Sequence, residues 1–334
     1  MASDIAAHYM RRRAPATRCA GARRPRLYTS AALVPQSRAR SKKARIPGGR
    51  FAQLFHSSPV AACGRAALFT GAVLSQKGGT GKTTMVRSLT DVFERLGVDV
   101  LAVDADPQGN LSDYFDTDPV AHPTLAEVLQ GQARAADAIH GPVIPANLRL
   151  AEAELMLAGK IGREVTLRNG LRDLKRERDV ILIDCPPTLG LLTVNALVAA
   201  THAILSTEAQ YFSLQGMEQA VQVVDLARES LNPELELLGV CLNIANMRTR
   251  HARQTLEALR ERFGDKLFRT VIRQSIAYAE SAERAIPILS YRPDRGQDYL
   301  SLAGEILRRL GKQDMLEGLD RLSAELVPAG AVGS

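Results

Sequence analysis

Residues 68–95, LFTGAVLSQKGGTGKTTMVRSLTDVFER, leave few choices for how this chain folds. The apolar stretch LFTGAVLS (68–75) has the length of a buried strand, and it runs straight into a glycine loop. Beyond the loop, Met85, Val86, Leu89, Val92, Phe93 and Leu96 recur at the spacing of one helical face. A strand that turns through glycines into a helix builds a phosphate cradle. Backbone N–H groups converge on an anion, and the helix N-terminus adds its partial positive charge. In such a cradle Gly78, Gly79, Thr80 and Gly81 provide the backbone, and Lys82 reaches the β- and γ-phosphates. The Thr83 hydroxyl would ligate Mg²⁺, and Thr84 would meet the α-phosphate. Two details depart from the common GxxxxGK[ST] spacing: Gln76 stands where its first glycine belongs, and a second lysine, Lys77, opens the loop.

Downstream, DVLAVD (99–104), DVILID (179–184), the run 203–206 and LLGVCLN (237–243) read as further short strands. Between them lie helical patterns such as Leu214, Met217, Val221 and Val224. Apolar strands alternating with amphipathic helices specify an α/β fold, a doubly wound, mostly parallel sheet with helices on both faces, and the glycine loop that opens it makes a P-loop NTPase the expected class. Residues 68–312 are expected to form one domain, and 313–334 a short C-terminal helix or tail. Asp184 ends an apolar strand and fits the Walker B role, holding Mg²⁺ through water opposite Thr83.

Charge separates this core from what precedes it. Residues 1–66 carry twelve Arg and two Lys against a single acid, Asp4, within a chain of net charge +7. Such a segment cannot bury enough surface to offset its conformational entropy, so disorder is expected there. A DNA-binding arm, an organellar transit peptide and a stretch outside the natural protein are the competing readings. The last is preferred, because an ordered domain begins abruptly at Leu68. Cys19, Cys63, Cys185 and Cys241 show no CxxC pair, which argues against a zinc site or a disulfide framework.

KGGTGKTT resembles the deviant Walker A motif of the ParA/MinD class of P-loop ATPases, and the resemblance runs in order through about 240 residues to GEILRRLG. It implies that Lys77 reaches across a dimer interface to the phosphates held by a partner subunit, so that two ATP molecules are sandwiched between two protomers. It implies that Asp106, within VDADPQGNLS, orients or activates the attacking water, and that Asp104 is a switch-region or Mg²⁺-shell carboxylate. Asn243, at the end of a strand, would read the adenine edge.

Relatives with this loop bind DNA, membranes or an iron–sulfur cluster. Neither Cys185 nor Cys241 has the glycine-flanked context of a cluster ligand, and the tail 311–334 carries four acids against two bases, which anionic lipid would repel. Arg248, Arg250, Arg253, Arg260, Arg262, Lys266, Arg269 and Arg273 favour double-stranded DNA, bound without sequence preference. Arg248 matches an arginine of the family. The family string IPRNVRLSEAPS, however, is replaced by IRQSIAYAESAE (272–283), which puts Gln274 and Ala277 where the family has arginines. Likewise PVQCEYYALEG becomes STEAQYFSLQG (206–216), with Gln210 in place of Glu. The resemblance therefore implies a slow cytoplasmic ATPase that dimerises with ATP, associates with the nucleoid and is stimulated by a ParB-like partner. The alternative is a MinD-like positioning switch for a protein assembly. The amidotransferase-linked cobyrinate synthases are a third reading, and those would carry an attached glutaminase domain.

Overall fold

A computed structural model describes residues 68–209 and 213–326. The basic segment 1–66 and Gln210 lie outside the described residues. Six strands form one sheet: β1 (Phe69–Leu74), β2 (Val100–Asp104), β3 (Val143–Ile144), β4 (Val180–Asp184), β5 (His202–Glu208) and β6 (Glu236–Asn243). Their order is β3-β2-β4-β1-β5-β6 and every pairing is parallel.

The sheet is parallel because both of its faces are apolar, which is the condition helical crossovers require. Alternate residues of each strand serve opposite layers. Ala72, Leu74, Leu101, Val103, Ile181, Ile183 and Leu205 pack on one side. Phe69, Val73, Val100, Ala102, Val180, Leu182 and Ile204 pack on the other.

The helices in chain order are α1 (Lys82–Arg95), α2 (Asn110–Tyr114), α3 (Leu125–Gln130), α4 (Arg149–Ala158), α5 (Thr166–Gly170), α6 (Leu174–Glu177) and α7 (Leu191–Ala199). They continue as α8 (Ser213–Ser230), α9 (Arg250–Phe263), α10 (Ala277–Glu283), α11 (Ile288–Tyr291), α12 (Pro293–Arg309) and α13 (Leu316–Leu326). The layer against α1 includes α12 and α13, and α3, α4, α7 and α8 cover the opposite face. The strip expected on α1 is the buried one, since Met85, Val86, Leu89, Val92 and Phe93 are all fully covered.

One strand is absent from the sequence reading. β3 has only two residues, too few for an alternating pattern, and it pairs at the sheet edge with Ala102 and Val103. In the tail, α13 buries Leu319 and Leu322 in the same core layer as α12.

Candidate functional site

A parallel sheet delivers the ends of all its strands to one edge, so the residues that follow β1, β2, β4 and β6 meet there. They surround a cavity of about 770 Å³ whose wall includes residues 78–84, Asp106, Asn243 and, from α10, Tyr278 and Ala282.

The loop starts from Ser75, whose hydroxyl is the hub of the local bonds. It accepts from Lys82 Nζ at 3.0 Å and from Thr80 Oγ1 at 2.9 Å, and donates to the Lys77 carbonyl at 2.7 Å. Lys82 is thereby held inward, only 6% exposed. Lys77, Gly78 and Gly79 are exposed. Gly81 begins α1 in the left-handed conformation, φ 77°, and no side chain caps the helix. The first-turn N–H groups are consequently left for an anion. A Cβ at Gly81 would stand 2.6 Å from Asn243 Nδ2. Gly81→Ala is therefore expected to combine about 1–2 kcal/mol of backbone strain with a clash. Its melting temperature should fall and its nucleotide affinity should drop more than tenfold, both measurable by thermal melts with and without nucleotide.

Thr83 Oγ1 donates to Asp184 Oδ2 at 2.6 Å. The other oxygen of Asp184 is buried without a hydrogen-bond partner. Desolvation, followed by the charge of Asp104, pushes the Asp184 carboxyl up to about 8. Asp104 is its register neighbour across β2–β4 and is pushed up to about 6, first by burial. Two carboxylates with a raised proton affinity and one orphaned oxygen suit a divalent cation, whose charge would offset the desolvation of both. Among the described residues no group of three or more His, Cys, Asp and Glu converges as a metal cluster. A hydroxyl and a carboxylate completed by phosphate oxygens is the donor set that Mg²⁺ takes in nucleotide sites.

The two acids at the end of β2 make different contacts. Asp104 is fully buried and accepts from Asp106 N at 3.1 Å, Ser112 N at 2.9 Å and Ser112 Oγ at 2.7 Å. It thus organises the loop between β2 and α2. Asp106 faces the cavity, with Oδ1 accepting from Gln108 N at 3.0 Å as in an Asx turn. Its Oδ2 accepts nothing among the described residues, so the turn and a catalytic role are compatible.

Asn243 lines the cavity, but its carboxamide serves the protein itself. Nδ2 donates to the Gly81 carbonyl and to Ser206 Oγ, each at 3.3 Å, and Oδ1 accepts from Ile244 N at 2.9 Å. Ser206 Oγ in turn donates to the Thr80 carbonyl at 2.7 Å. The residue expected to read adenine therefore pins the phosphate loop from below. Thr84 lines the cavity.

The basic residues separate into two groups. Arg248, Arg250 and Arg253 are exposed, and among the described residues they form no ion pair. Arg273 is held by Asp298, at 2.9 Å, and by the Asp294 carbonyl. Ala277 is 2% exposed, so the position where the family carries an arginine points into the core. Cys185 and Cys241 are free, buried thiols used in packing.

The buried hydroxyls Ser75, Ser112 and Ser206 went unnoticed in the sequence. A serine has no pattern of its own, whether it follows a strand (Ser75), lies within one (Ser206) or sits in a short helix (Ser112), and only the convergence of distant segments gives it a partner.

A protein-family description, "AAA domain", matches residues 70–237. The sporulation initiation inhibitor protein Soj of Bacillus subtilis (strain 168) is 37% identical over 244 residues, covering 70% of this chain and 96% of Soj. The chromosome partitioning protein ParA of Caulobacter vibrioides (strain NA1000 / CB15N) is 36% identical over 249 residues, covering 71% and 93%. Among solved structures, the cobyrinic acid a,c-diamide synthase of Mycobacterium smegmatis with bound ADP and magnesium superposes with a TM-score of 0.59 at 34% identity, covering 65% of this chain and 91% of that one. With its two-lysine phosphate loop at the edge of an all-parallel sheet, and with relatives that align over nearly their whole length, the chain belongs to the ParA/Soj family of P-loop ATPases.

Proposed function

We propose that this protein hydrolyses Mg·ATP as a partition ATPase. Two copies enclose two nucleotides, the dimer binds double-stranded DNA without sequence preference, and a ParB-like partner stimulates turnover and release. The observation that carries this reading is the meeting of Lys82, Thr83 and Asp106 around one cavity, with Asp184 hydrogen-bonded to Thr83. Lys82 and the uncapped N-terminus of α1 bind the phosphates. Thr83 and Asp184 hold Mg²⁺, which when bound would neutralise charge on the phosphate oxygens. Asp106 orients a water toward the γ-phosphate, giving ADP and phosphate. Lys77, delivered by the second copy, offsets charge on the transferring phosphoryl group only once the dimer exists.

Arg248, Arg250 and Arg253 supply the DNA surface, while Arg273, held by Asp298, contributes less than the sequence suggested. No helix among the described residues is long and apolar enough to cross a membrane. A cytoplasmic protein that gathers on the nucleoid when loaded with ATP fits this surface.

The test is a gel shift of random-sequence DNA with ATP, with ADP and with neither. A shift confined to ATP is expected, weakening steeply with salt. Each arginine removed should flatten the plot of log affinity against log salt by about one unit. ATP turnover without any DNA shift would replace this reading with a switch that positions a protein assembly.

A further inference from the structure

The phosphate loop faces a carboxylate that ATP hydrolysis does not call for. Glu208 closes β5, in register with Asn243 on β6, and is half-buried. Its Oε1 lies 3.9 Å from the point where a Cβ on Gly79 would stand, so the acid overhangs the glycines of the cradle. Burial holds this carboxyl above the usual carboxylate range, and the Lys77 ammonium pulls it back down.

A negative charge at the rim of an anion-binding loop opposes a triphosphate and attracts the lysine beside it. We propose that Glu208 is the resting counter-ion of Lys77, an acid that keeps this lysine over its own loop until the triphosphate and a second copy compete for it. The inference rests on the reading of Lys77 as a residue delivered in trans. It adds a threshold to that reading. Binding of ATP has to overcome the repulsion from Glu208, and closing of the dimer has to draw Lys77 away from it. Glu208 is thus a positioning residue that acts through Lys77, and the charge, not the shape, of its side chain sets the ATP level at which two copies join.

Glu208→Gln in the full chain tests this. A fluorescent ATP analogue reports affinity, and light scattering across an ATP titration reports mass. A charge interaction at a half-buried site predicts an affinity gain of about three- to tenfold, with dimers forming at correspondingly lower ATP. In a Lys77→Ala background the affinity gain should be smaller, because only the repulsion remains to be relieved. An unchanged or weaker affinity in Glu208→Gln overturns the proposal, as does an equal gain in both backgrounds. A wild-type chain that stays single at saturating ATP removes the underlying reading of Lys77, and the inference with it.

Discussion

Lys82→Ala is expected to abolish measurable ATP binding while leaving the protein folded. Lys82 is 6% exposed, and its ammonium donates to the Ser75 hydroxyl at 3.0 Å and to the Lys77 carbonyl at 3.5 Å. Its removal deprives the cavity wall of its lysine, and the phosphates would then face Asp106 without it. A charge-assisted contact to phosphate contributes about 3 kcal/mol, which corresponds to a loss of more than a hundredfold in affinity. The fold does not depend on it. Ser75 keeps its bonds to Thr80 and to the Lys77 carbonyl, and the α1 strip of Met85, Leu89 and Phe93 is untouched. Isothermal titration with ATP together with a thermal melt separates the two effects. Nearly normal affinity would show that the cavity is not the nucleotide site.

Asp106→Ala should do the reverse: bind ATP, form the dimer and remain on DNA without turnover. The Asp106 side chain accepts one turn bond, from Gln108 N, and otherwise presents Oδ2 to the cavity. The backbone N–H of residue 106 still reaches Asp104 after the substitution, so the loop keeps its anchor. Losing a group that orients the attacking water lowers kcat by about 10²- to 10⁴-fold, with little change in ATP affinity. Phosphate release, measured beside the gel shift of random DNA, distinguishes a trapped dimer from a misfolded one. Normal turnover would reassign the catalytic acid. Asp104→Ala would be a poor substitute experiment, because that carboxylate accepts three bonds inside the protein and its loss would disorganise the β2–α2 loop.

The longer strands and the helix α1 were legible because each advertises its burial locally. Residues 100–103, 180–183 and 237–242 are continuous apolar runs, and the strip on α1 repeats at the helical period. The two-residue β3 escaped notice because so short a run has no period.

By itself the sequence determined that a phosphate loop would join the first strand to a helix, and that Asp106 and Asp184 would emerge at the same edge, since parallel strands align their ends. Only the tertiary structure decided what those groups touch. It turned Asn243 into a support for the Gly81 carbonyl, tied Arg273 to Asp298, buried Ala277 and set Glu208 above Gly79. The physical reason is range. Periodicity reports whether a side chain is covered, but a hydrogen bond such as Thr83–Asp184 joins residues 101 positions apart, and its partner is fixed only when the sheet has formed.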